Sequence, residues 1–272
     1  MSECHISYFF DKLYEGASSN QECLERLIKA RGFLLDKNGG EIYVSNNSYL
    51  KERDEIKIDV EYLDEILKKY NLGMVEDNHI IINNTQNYRL MEEEFSENKN
   101  RIPREMIHYY YEETWKYFKT RKHGYKAGVC LLEPFIARYV KAASACGVII
   151  YGSCDGNHNN QDYAFLQISG KPSIIWHQLI WENCLSNRYD IEWKDDYTSF
   201  NFNGEKYKNY YLINMAAKFL YENRLEIRKI KEMALLKIGL HTLKNSDTGY
   251  ITNAFVSQAQ KLFSESQLQS KL

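Results

Sequence analysis

Apolar side chains recur at helical spacing over residues 19–31, where Ser19 stands three positions before Glu22 and Cys23, Leu24, Leu27 and Ile28 form one stripe ahead of Gly32. A Ser followed by a Glu at that distance is a capping box, so an amphipathic helix is predicted there. "KNGGEIYV" then predicts a turn and a short strand. The alternation of Ile56, Ile58 and Val60 in "DEIKIDV" predicts a half-buried strand. Leu63, Ile66, Leu67 and Tyr70 share one helical face up to Gly73, and "NHIIINN" reads as a further strand. Residues 1–87 are therefore expected to form a small α+β module.

The pattern changes after that. Residues 88–101 carry an acidic run and read as a connection. Pro103 suits the first turn of a long helix ending at Gly124, in which Ile107, Tyr110, Tyr111, Thr114 and Phe118 fall at helical spacing. Tyr109, Trp115 and Tyr117 cannot all share that face. Residues 88–124 are thus expected to be an acidic connection and an aromatic-rich helix with contacts to offer.

Residues 125–272 are expected to form the main α+β domain. Pro134 begins a helix whose Phe135, Tyr139, Ala142 and Cys146 make a stripe closed by Gly147. "VIIY" and "AFLQIS" predict strands on either side of the polar loop "GSCDGNHNNQDY", residues 152–163. "KPSIIWHQLIWENCL" predicts a helix begun at Pro172, and "YDIEW" and "YTSFNFNGEKYK" predict strands. Asn203–Gly204 is the strongest hairpin signal in the chain. One long helix is expected from Tyr210 to Ile238, and an amphipathic one, "TNAFVSQAQKLFSESQ", near the end. The expected fold class is α+β with a helix–strand–loop–strand–helix centre.

Composition removes several function classes. Thirty-five Lys and Arg against 37 Asp and Glu leave a formal charge of −2, so no global field favours nucleic acid or an anionic membrane. No apolar run reaches the roughly 18 residues of a spanning helix, and the amino terminus lacks a secretion signal. A cytoplasmic protein with reduced thiols is expected, since none of the six cysteines forms a CxxC pair. The 22 tyrosines against 12 phenylalanines and 4 tryptophans suit contact surfaces, although coding bias would enrich tyrosine too.

The candidate chemistry sits in the loop. Gly152 and Gly156 permit positive φ, and Asp155, Asn157, Asn159 and Asn160 make side-chain turns, which alone would explain a wide connection. A thiol enzyme would use Cys154 as nucleophile, His158 or the distant His177 as base, and Asp155 or Asp162 to orient the imidazole. Its substrate would be nucleotide-like or phosphorylated. A metal site would draw on Cys154, His158, His177 and Cys184, but these lack the tight pairs of most zinc sites, so no metal and no cofactor is expected. The glycines and Ser153 could cradle a phosphate, yet the GxxxxGK[ST] pattern is absent.

"CGVIIYGSCDGNH" resembles an SCxGH-like loop of short phage and bacterial proteins and, more distantly, the SCxGR loop of wybutosine-synthesis methyltransferases. One extra residue separates Gly156 from His158 and the Arg is missing, so no S-adenosylmethionine or tRNA chemistry is implied. "SCDGNH" with "WENC" at 181–184 also resembles phage inhibitors of bacterial defence complexes, the Gabija anti-defence family. That resemblance implies a non-enzymatic α+β protein that wraps a host complex with aromatic-bearing surfaces. The leading expectation is accordingly a protein-binding inhibitor or regulator from a phage or other mobile element. Its contacts would come from Tyr109, Tyr111, Trp115, Tyr117, Asn157, Asn159 and Trp181, with homo-oligomer formation open and nucleic acid disfavoured. The alternative is the Cys154 enzyme.

Overall fold

The computed structural model describes residues 5–45, 55–96, 115, 118, 128–157, 163–190, 192–194, 199–239 and 248–268. The first helix, α1 (Ile6–Tyr14), buries Phe9, Phe10 and Leu13, and α2 (Asn20–Arg31) follows it. The expected cap of α2 is present: Ser19 accepts a hydrogen bond from the Glu22 amide, and Gly32 closes the helix at φ 117°. The Glu22 carboxylate turns to Ser18 instead, accepting from its amide and hydroxyl at 2.9 and 2.8 Å. A Cβ on Gly32 would lie 2.8 Å from Ala137 Cβ, so that glycine serves both the cap and a close helix crossing.

The antiparallel sheet that follows has the order β1-β2-β4-β3, with β1 Leu35–Asn38, β2 Glu41–Val44, β3 Gly73–Glu76 and β4 His79–Ile82. Gly39 and Gly40, at φ 60° and 91°, make the tight turn between β1 and β2. Helix α3 (Glu55–Lys69) packs on this sheet with Leu63, Ile66 and Leu67 inside. Here the structure corrects the strand expected over "DEIKIDV", which is the first half of α3. A strand would have buried Ile58; the helix leaves Ile58 38% exposed and takes Asp59 inside at 3%. Asp59 is fixed there by a tertiary demand, accepting from the Val129 amide at 2.6 Å and from Lys141 Nζ at 2.7 Å. Local alternation has no access to that demand. Tyr88–Glu92 is a 3-10 turn leading into the short α4 (Glu93–Ser96).

Helix α5 (Pro134–Ala145) is the central element, with Phe135, Tyr139 and Ala142 all buried as the stripe predicts. It packs against α2 and, most extensively, α7 (Lys206–Glu222). The second antiparallel sheet has the order β5-β6-β8-β7, built from Ile150–Cys154, Tyr163–Ile168, Ser199–Asn201 and, as β7, Glu192–Lys194. Strand β5 runs into the expected loop, so Gly152, Ser153 and Cys154 are sheet residues beyond a bulge at Tyr151. Helix α6 (Gly170–Ile180) starts two residues before Pro172 and continues as a π-helical turn, Trp181–Leu185.

Two more expectations are corrected. Asn203 and Gly204 have positive φ, 46° and 77°, but the turn leads from β8 into α7 and no strand follows. Such a dipeptide specifies the reversal and not the element beyond it. The single helix expected from Tyr210 to Ile238 is broken at Asn223 between α7 and α8 (Arg224–Lys237). The Asn223 side-chain amide donates to the Phe219 carbonyl at 2.9 Å, a local bond that competes with helix continuation. Helix α9 (Thr248–Glu265) packs on α8 and α6. The fold is α+β, and one cluster of buried side chains runs from Phe9 to Leu268. Among the described residues no helix is long and apolar enough to cross a membrane.

Candidate functional site

Cys154 ends β5, and the chain then turns through Asp155 and Gly156. Asp155 is wholly buried. Its carboxylate accepts from the Asn157 amide at 2.8 Å and, more weakly, from the Phe135 amide at 3.4 Å in the first turn of α5. Its carbonyl accepts from the Tyr210 hydroxyl at 2.6 Å, and its amide donates to the Glu133 carboxylate. Lys206 Nζ donates to the Gly156 carbonyl at 3.0 Å. Asp155 thus ties the turn to a helix start and to α7, work of an Asx turn and a remote cap.

The Cys154 thiol is in a poor setting for a nucleophile. Burial, aided by the nearby Glu133 and Asp155 carboxylates, pushes its pKa up to about 12, against the single lowering hydrogen bond from the Gly156 amide. His158, Asn159 and Asp162 lie outside the described residues, as do Tyr109, Tyr111 and Tyr117.

The other candidates are interior. His177 is fully buried, its Nε2 2.8 Å from the Tyr139 hydroxyl. Cys184 is buried and its thiol is pushed up to about 12, chiefly by that burial. Cys154, His177 and Cys184 do not form a metal centre, because no group of three or more metal-ligating side chains occurs among the described residues. Trp115 packs on Phe118 and Phe255 at 5.6 and 5.1 Å, and Trp181 on Phe200 at 6.0 Å. At 6% and 4% exposed, these two tryptophans are core side chains and present no contact surface. A large aromatic off the main stripe of a helix found a second internal neighbour rather than solvent.

The cavity that the sequence reading missed lies elsewhere. A cleft of about 980 Å³ is lined by the end of α1, α2, β1, α5, α7 and the start of α8. Seven cationic and five carboxylate side chains line it. All five carboxylates are matched at 2.6–4.0 Å, as Lys12–Glu15, Arg26–Glu22, Lys37–Glu25, Lys218–Glu222 and Arg224–Asp36. The two cations left over are Lys29 on α2 and Arg138 on α5, which have no ion-pair partner among the described residues. Arg138 makes one hydrogen bond, from Nη1 to Asn214 Oδ1 at 2.8 Å.

Both surplus cations feel their position. Burial lowers the Arg138 pKa to about 10, which Glu222 only partly offsets. Lys29 is lowered by burial first, with Arg138 and Lys37 repelling it and Glu25 and Glu222 opposing the shift. Arg138 remains protonated at neutral pH. Comparison with protein-family models, curated proteins and solved structures finds no match to the chain. Two cations of the lining have no ion-pair partner among the described residues, so the cleft has charge to offer an anion. No spacing rule could have found it, because its residues run from Lys12 to Arg224 and their charge surplus exists only after the fold has paired the others.

Proposed function

We propose that this protein is a non-covalent binding protein, a regulator rather than a thiol enzyme, and that it recognises an anionic group of its ligand in the cleft between α2, α5 and α7. The observation that carries this is the pair Arg138 and Lys29, two partly buried cations with no carboxylate at ion-pair distance among the described residues, while each acid of the lining is already paired. Leaving charge half-desolvated and unmatched lowers stability, and an incoming anion removes that cost. A binding protein is also what the sequence leads one to expect, with the recognition surface moved from the aromatic helix to the cleft. Occlusion of a host defence complex is a finer proposal, resting on the resemblance of the loop. Trp115 and Trp181 lend it no support from the interior.

The enzyme reading loses ground on Cys154, whose thiol is protonated at neutral pH. Isothermal titration with inorganic phosphate, sulfate and citrate at fixed ionic strength tests the proposal. Saturable one-to-one binding that is lost in Arg138→Gln supports it, and heats no larger in the native protein than in that variant reject it.

A further inference from the structure

The two surplus cations do not sit alone. Asn214 on α7 also lines the cleft, is 3% exposed, and has a side-chain nitrogen without a hydrogen-bond partner among the described residues. Its orientation is not free: Oδ1 must face Arg138 Nη1, because a guanidinium only donates, so Nδ2 has to be the unmet donor. Three donor groups therefore line the cleft on α2, α5 and α7: Lys29 without an ion-pair partner among the described residues, Arg138 with only the Asn214 oxygen, and Asn214 Nδ2 with no acceptor. A buried donor left unmet costs about 1–3 kcal/mol.

Resting on the reading of the cleft as a ligand site, we infer that the ligand is a small molecule bearing a phosphate monoester, with its phosphoryl group on Arg138, Lys29 and Asn214. Charge decides between anions. A phosphate monoester carries about −1.5 to −2 at neutral pH and three acceptor oxygens, matching two cations and a third donor. A monocarboxylate would leave one cation unmatched. The same lining argues against a polyanion. Glu15, Glu22, Asp36 and Glu222 are distributed around the cleft, so an acidic peptide or nucleic-acid strand laid along it would meet a carboxylate at each step. A single compact dianion seated on Arg138 and Lys29 meets the field of Glu222, and of Glu25 on the Lys29 side, but not of every carboxylate in the lining.

The rest of the ligand has room and a surface. A volume of about 980 Å³ is at the top of the range for small-molecule sites and far exceeds a bare phosphate. Tyr211 is a half-buried aromatic in the lining, so an organic body beside the phosphoryl seat has an aromatic surface to meet.

The test is titration calorimetry on the full chain with phenyl phosphate, inorganic phosphate, benzoate, succinate and a short oligothymidylate at constant ionic strength. Phenyl phosphate should bind more tightly than inorganic phosphate and at least about tenfold more tightly than benzoate or succinate, from the loss of charge-assisted bonds. Arg138→Gln and Lys29→Gln should each weaken phenyl phosphate about tenfold or more, and Arg138→Lys should not restore full affinity, because a point charge lacks the fork. Lys261→Gln, on α9 away from the cleft, should change nothing. Urea melts of each variant establish that it folds, and the Lys29 variant keeps the test valid should Arg138→Gln unfold. Preference for succinate or benzoate overturns the phosphoryl assignment while leaving the anion cleft standing. Tightest binding of the oligothymidylate overturns it in favour of a polyanion. Binding of no anion, or binding indifferent to both Arg138 and Lys29, overturns the inference and the cleft together.

Discussion

If Cys154 is a structural thiol, its alkylation rate should say so in numbers. Its pKa is raised from an ordinary 9.0 to about 12, so at any pH below 9 the thiolate fraction falls by roughly a thousandfold. A more basic thiolate is intrinsically more reactive, with a Brønsted slope of about 0.4–0.5, which returns a factor of roughly 15–30. The net expectation is a rate roughly 30–60-fold below that of the same cysteine in the unfolded chain, before any steric protection. The assay is iodoacetamide alkylation from pH 7 to 10, read at Cys154 by site-resolved mass spectrometry, in buffer and in urea. In the native protein the logarithm of the rate should climb with unit slope and show no plateau by pH 10. Cys184, also raised to about 12, should track it. An inflection below pH 9, or a native rate above the unfolded one, would refute the reasoning. It would mean that burial, aided by the carboxylates of Glu133 and Asp155, does not govern the thiol, and the enzyme reading would return.

Other expectations concern the frame that holds the cleft. Asp59→Ala should destabilise by about 3–5 kcal/mol in urea melts, because it strands the buried Lys141 ammonium and the Val129 amide; Asp59→Ala with Lys141→Met should recover much of that, and full additivity would count against a coupled pair. Gly32→Ala should cost more than the roughly 1 kcal/mol of an ordinary left-handed cap, since its Cβ meets Ala137 at 2.8 Å as well; a melt within error of wild type would contradict the close crossing. Arg138→Gln, without ligand at neutral pH, should be at least as stable as the parent, because a cation whose pKa is depressed by burial weighs against folding at every pH below that lowered value. A clear loss of stability would instead make Arg138 a structural residue. Burial acts to raise Glu94, but Lys69, Tyr70 and Tyr62 outweigh it and hold it below the usual range. Its stabilisation is therefore complete above the unfolded carboxyl value and lost as pH falls through the lowered one, so Glu94→Gln should flatten that acid limb in urea melts taken from about pH 2 to 7.

What could be read in the sequence was whatever a single helix or hairpin decides for itself. The stripes Cys23-Leu24-Leu27-Ile28 and Leu63-Ile66-Leu67-Tyr70 are buried as their spacing requires, and Gly32 and Gly147 sit at positive φ where a helix end needs them. Failures begin where a neighbour elsewhere in the chain chooses between two local options. "DEIKIDV" alternates like a strand and became helix because Asp59 meets Val129 and Lys141, 70 and 82 residues on. Strand β3 was hidden behind Gly73, read only as a helix stop, yet a Cβ there would stand 1.9 Å from the Ile81 carbonyl oxygen. That glycine admits the neighbouring strand as much as it ends the helix.

The site failed for the same reason at a larger scale. Nucleophile, acid and imidazole types crowd together in residues 152–163, but crowding along the chain measures nothing about solvent or charge around a side chain. Asp155 had its carboxylate and carbonyl engaged by α5 and α7, and His177 had Tyr139. The cleft inverts this: Lys29 and Arg138 look like any two surface cations until the five ion pairs beside them are drawn, and only then does their lack of a partner separate them from the other five cations in the lining. A near-neutral chain can thus carry a cleft with two cations in excess, since net charge sums over pairs that cancel and is blind to which residues are left over. The near balance of 35 basic and 37 acidic residues argues against a long polyanion spread over the surface, and it places no limit on a compact anion held at two of them.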